Sequence, residues 1–66
     1  MDITINGAPR QVPDDADLAA VLRDYGVAAS GVAVAVDGDV VPRPAWPGTV
    51  VRPGAAVEVL TAVQGG

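Results

Sequence analysis

Four residue types are missing from this 66-residue chain: cysteine, histidine, lysine and phenylalanine. Without cysteine there is no disulfide to staple the fold, no thiol nucleophile and no persulfide carrier. Without histidine no side chain has an ordinary pKa suited to general base work near neutrality, and with both absent no Cys/His metal site is expected. The lack of lysine removes Schiff-base chemistry and a side-chain acceptor for isopeptide bonds, although a GC-rich genome accounts for it as simply as any function does. The hydroxyls of Thr4, Tyr25, Ser30, Thr49 and Thr61 have no evident base to activate them, so an autonomous enzyme is not expected.

Aromatics are scarce too. Tyr25 and Trp46 are alone, so a core must be assembled from Val, Leu, Ile and Ala, which the 50% hydrophobic content allows. A chain this short forms one domain with a margin of stability of only about 3–5 kcal/mol. The net charge is −4, and Arg10, Arg23, Arg43 and Arg52 are scattered along the chain. No phosphate-tracking stripe is visible, so neither nucleic acid nor an anionic membrane is an expected partner; a basic protein surface is. Asp2 stands where a signal peptide carries basic residues, and no apolar run is long enough to span a bilayer, so a cytoplasmic location is the default expectation.

What is present reads as alternating short strands with one helix. Ile3 and Ile5 alternate with Asp2 and Thr4, and Asn6-Gly7 follows, a dipeptide suited to a type I′ turn because both residues accept positive φ. A return strand through Arg10-Gln11-Val12 ends at Pro13. In "DDADLAAVLRDYG" the residues Leu18, Val21, Leu22 and Tyr25 fall on one face of a two-turn helix, with Asp17 as N-cap and Gly26 as the left-handed terminator. Asp14, Asp15 and Asp17 are read as carboxylates favoured at a helix N-terminus and not as a metal or acid–base cluster. "VAVAVDGDVV" places Val32, Val34 and Val36 on one face, with Asp37-Gly38 as a turn and Val40-Val41 starting another extended piece. Asp37 and Asp39 fall short of a calcium loop. The segment from Pro42 to Gly54 holds four of the six prolines and is expected to be irregular, anchored by Trp46. A last strand runs from Val57 to Val63. The order β-β-α-β-(short β)-β predicts an α+β layer in which a mixed sheet of four to five strands grips one helix.

Together with this order, "GVAVAVDGDVVPRPAW" and the closing "VEVLTAVQGG" resemble the ThiS sulfur carriers of thiamine biosynthesis, in the ubiquitin-like β-grasp superfamily. The likeness spans nearly the whole chain. It is most specific at Val40-Val41-Pro42-Arg43 with Trp46 three residues on, and at Ala62-Val63-Gln64-Gly65-Gly66. Departures fall at Asp37, where Asn is frequent, and at Ala55, where an acidic residue is. A terminal Gly-Gly alone is weak, arising by chance about once in 200 chains at ordinary glycine usage; the conjunction with strand order and length gives it meaning.

The resemblance implies a single domain over residues 1–66 with a flexible tail at about 63–66. It implies that the Gly66 carboxylate is adenylated with ATP by a ThiF-type adenylyltransferase. Sulfur from a cysteine desulfurase or a persulfide relay then yields a thiocarboxylate, which supplies a ThiG-type thiazole synthase. On this reading the chain is a protein co-substrate that binds no cofactor or metal itself. Gln64 and Gly65 would present the terminus, since glycine lacks Cβ and lets a backbone enter a narrow site. Candidate docking residues are Val41, Pro42, Arg43, Trp46, Leu60 and Val63, with Trp46 and Leu60 open to assignment as core instead. Alternatives are a carrier for another pathway, such as the small subunit of molybdopterin synthase, a non-catalytic β-grasp binding module, or a protein modifier.

Overall fold

A computed structural model of the chain describes residues 1–27 and 31–61. It begins with a hairpin of β1 (Asp2–Ile5) and β2 (Ala8–Gln11), paired antiparallel with Ile5 opposite Ala8. The two residues between them take left-handed conformations, φ 52° at Asn6 and 83° at Gly7, as a type I′ turn requires. Because only Asn6 and Gly7 form the turn, the return strand begins two residues earlier than the Arg10 start expected from sequence, and Val12 follows it as a buried residue.

The helix α1 covers Leu18–Tyr25, with Asp17 as N-cap and Gly26 ending it at φ 91°. Leu18, Val21 and Leu22 are buried, as their spacing predicts. Tyr25, the last residue of α1, is instead 38% exposed, its ring capped by the Arg10 guanidinium 5.0 Å from the centroid. The helical stripe therefore runs past the edge of the core before it ends.

The amides of the first helical turn have partners. Leu18 N–H donates to the Thr49 carbonyl, Ala19 N–H to the Trp46 carbonyl, Ala20 N–H to Asp17 Oδ1 and Val21 N–H to the Asp17 carbonyl. Two of these acceptors belong to the proline-rich stretch. That stretch lacks regular structure apart from a 3-10 turn at Arg43–Ala45 and a single bridge between Asp17 and Val50. It is nonetheless stitched to the cap of α1, where Asp17 Oδ2 accepts from Gly48 N–H, and it is braced internally by the Thr49 hydroxyl donating to the Ala45 carbonyl. Trp46 is the anchor, 9% exposed, with its indole N–H donating to the Val41 carbonyl at 2.9 Å.

Strands β3 (Val32–Val36), β4 (Asp39–Val40) and β5 (Ala56–Thr61) complete a five-stranded mixed sheet of order β2-β1-β5-β3-β4. The last strand in chain order lies in the centre, parallel to β1 and antiparallel to β3. One face of the sheet supplies Ile3, Ile5, Val34 and Val57 to the core, against Leu18, Val21 and Leu22 of α1. Val12, Trp46, Val51 and Ala55 close it from the connections. Val32 and Val36 are half-buried because they lie at the ends of β3. This is the mixed sheet around one helix that the sequence order predicts, a β-grasp.

Candidate functional site: the terminal strand and the open sheet face

Alternation along β5 sends Val57 into the core and Ala56, Glu58 and Leu60 to the opposite side of the sheet. α1 does not cover that side. Registers of Leu60 with Ala33, Glu58 with Ala35 and Val40 with Ala35 place these residues on one continuous surface. Leu60 is 67% exposed and Val40 74%. Two large aliphatics, separated by small alanines and accompanied by the Glu58 carboxylate, form an apolar patch on the strand that leads towards the C-terminus.

The candidate docking residues divide accordingly. Leu60 lies on the open face. Trp46 belongs to the core, and Val41 is half-buried against it, with its N–H donating to the Val34 carbonyl. Pro42 and Arg43 are exposed around the 3-10 turn. Val63, Gln64, Gly65 and Gly66 lie outside the described residues, as does the end of the expected last strand beyond Thr61. Sequence reasoning singled out Val41 and passed over Val40. The signal was available, since of two adjacent strand residues one must point outwards, but which one depends on the pairing with Ala35.

Both hairpin turns reach β5. At the β3–β4 turn Asp37 has φ 51°, its N–H donates to the Ala56 carbonyl at 2.8 Å, and its Oδ1 accepts from Ala56 N–H at 2.9 Å. At the β1–β2 turn Asn6 N–H donates to the Val57 carbonyl at 2.9 Å. Its side-chain Oδ1 accepts from Val59 N–H at 2.8 Å, and its Nδ2 donates to the Val59 carbonyl at 3.1 Å. Sequence reading gave both residues a turn role and missed this one, because the partners lie far along the chain.

Among the described residues two carboxyl groups have altered acidity. The backbone N–H groups of Ala20, then Gly48, hold Asp17 below the usual carboxylate range. The hydrogen bond from the Met1 ammonium, reinforced by its charge, does the same for Asp14 at 2.7 Å. Both are structural ties and lie away from the open face. Among the described residues no three His, Cys, Asp or Glu side chains group to hold a metal ion, no pocket opens, and no helix is long and apolar enough to cross a membrane.

A five-stranded mixed sheet around one helix, with the last strand at its centre, defines the class of ubiquitin-like β-grasp proteins. Comparison with known families narrows that class, since the ThiS family model matches residues 3–66. The chain belongs to the ThiS family. A crystal structure of a thiamine biosynthesis protein (ThiS) from Geobacter metallireducens is 35% identical, with all of both chains covered and a TM-score of 0.84. A solution NMR structure of a thiamine biosynthesis protein from the same organism is likewise 35% identical, covering all of this chain and 88% of the other, with a TM-score of 0.79. No curated protein matches the sequence.

Proposed function

We propose that this chain is a sulfur carrier of thiamine biosynthesis, working in the cytoplasm through a thiocarboxylate on Gly66. The observation that carries the reading is the family match, which runs through the terminal glycine itself. A free carboxylate is a poor electrophile. A ThiF-type adenylyltransferase would therefore join it to the α-phosphate of ATP, releasing pyrophosphate and leaving AMP as the leaving group. A sulfide equivalent, supplied through a cysteine desulfurase or a persulfide relay with a thiol reductant, then adds at the acyl carbon and displaces AMP. The resulting thiocarboxylate is the sulfur source for a ThiG-type thiazole synthase. The chain provides no catalytic group in these steps; it provides the acyl carbon and a surface by which partners hold the body.

The patch of Leu60 and Val40 supports the docking part of this reading, because exposed aliphatics on a small domain mark interaction sites. Glu58 within it and the net charge of −4 favour partners whose docking surfaces carry basic groups. Pro42 and Arg43, exposed around the 3-10 turn that follows β4, are a second candidate part of the contact.

Intact mass of the chain after co-expression with an adenylyltransferase and a sulfur donor tests the proposal. The expected product is heavier by the exchange of one oxygen for one sulfur, and deleting or capping Gly66 abolishes it. An unchanged mass under conditions that convert another ThiS-family carrier would overturn the assignment.

A further inference from the structure

The parallel ladder between β1 and β5 ends early, and its continuation is unusual. Thr4 N–H donates to the Ala55 carbonyl and Asn6 N–H to the Val57 carbonyl. At Asn6 the main chain swings into the hairpin turn with φ 52°, so no further β1 residue is there to pair with Val59. The Asn6 carboxamide takes over. Its oxygen accepts from Val59 N–H and its nitrogen donates to the Val59 carbonyl, supplying the acceptor and donor that one more stretch of strand would have supplied. Among the described residues, β5 beyond Val57 is therefore held by β3 on one side and by the Asn6 side chain on the other.

We propose that Asn6 is a positioning residue for the terminal carboxylate: its side chain fixes the direction in which β5 delivers the tail. The inference rests on the sulfur-carrier reading above. Gly66 lies five positions beyond Thr61, so the clamp at Val59 acts on the last part of the strand that those residues follow in the chain. Acyl transfer is sensitive to misplacement of the reacting groups by about 1 Å.

The chemistry of the two turns explains which residue stands in each. Asp37 needs only an acceptor in its side chain, because its own N–H serves the Ala56 carbonyl. Asn6 must give and accept through its side chain alone, which aspartate cannot do when ionised. Asn6 is thus selected twice, for left-handed backbone and for a carboxamide.

The experiment compares Asn6→Gly, Asn6→Asp, Asp37→Asn and Asp17→Ala with the native chain. Glycine keeps the turn conformation while removing the clamp; aspartate keeps the acceptor and loses the donor. Amide hydrogen exchange by NMR is expected to quicken about tenfold at Val59 in Asn6→Gly, with Val34 and Val57 little changed. In pyrophosphate release by the adenylyltransferase, kcat is expected to fall roughly three- to tenfold in both Asn6 variants while KM stays near native. Asp37→Asn retains its acceptor and keeps native kcat. Asp17→Ala lowers the melting temperature without touching β5 and also keeps native kcat, which separates positioning from general destabilisation. Native kcat in Asn6→Gly, or an equal loss in Asp17→Ala, overturns the proposal while leaving the sulfur-carrier reading intact. Failure of the native chain itself to release pyrophosphate, beside a carrier that does, sinks that reading and the proposal with it.

Discussion

Asp17 shows how much a single side chain carries in a domain without staples. One carboxylate oxygen caps α1 through Ala20 N–H and the other holds Gly48 N–H, tying the helix to the loop that also satisfies Leu18 and Ala19. Removing it in Asp17→Ala is expected to lower Tm by roughly 5 °C, measured by circular dichroism. The acid response follows from the same contacts. Hydrogen bonds depress the native pKa of Asp17, and the Met1 ammonium that of Asp14. Their contribution is present above the unfolded-state value of about 3.9 and is lost as pH falls through the lower native values. Stability of the native chain is therefore expected to decline more steeply below pH 4 than that of Asp17→Asn, which urea titrations across that range would reveal. Trp46 gives the larger effect. It fills the core under the proline-rich stretch, and Trp→Ala truncations of buried sites cost about 3–5 kcal/mol, comparable to the whole stability of so small a core. Trp46→Ala is expected to unfold the chain, whereas Trp46→Phe, which loses the bond to the Val41 carbonyl, should fold with a reduced Tm.

At the level of elements, local signals were legible and distant ones were not. The two X-Gly turns, the Asp17 cap and the Gly26 terminator depend on neighbours within a few residues, and each appears where the sequence places it. The buried helix stripe is right for Leu18, Val21 and Leu22 and overshoots at Tyr25, because periodicity cannot say where the opposing sheet ends. In the same way, the alternation of β5 was readable, but that Leu60 faces open space and Trp46 the interior depends on pairing and on the path of the loop. The proposed docking surface thus emerges only from the pairing that brings Val40 and Leu60 to one face. Threonine at both positions preserves strand propensity and removes apolar area. Val40→Thr with Leu60→Thr is expected to change stability by no more than about 0.5 kcal/mol per site, while raising KM for the adenylyltransferase roughly tenfold. An unchanged KM in that double variant would move the docking surface elsewhere, towards Pro42 and Arg43.

For the whole molecule, the sheet order β2-β1-β5-β3-β4 has a consequence for when the protein becomes usable. The strand nearest the C-terminus is the keystone: it fills the gap between β1 and β3, and its Val57 completes the core. A chain that stops short of β5 has two unjoined hairpins, each too small to be stable alone. A copy that lacks β5 therefore cannot form the five-stranded sheet. Folding of the sheet is thereby coupled to synthesis of its last strand, Ala56–Thr61.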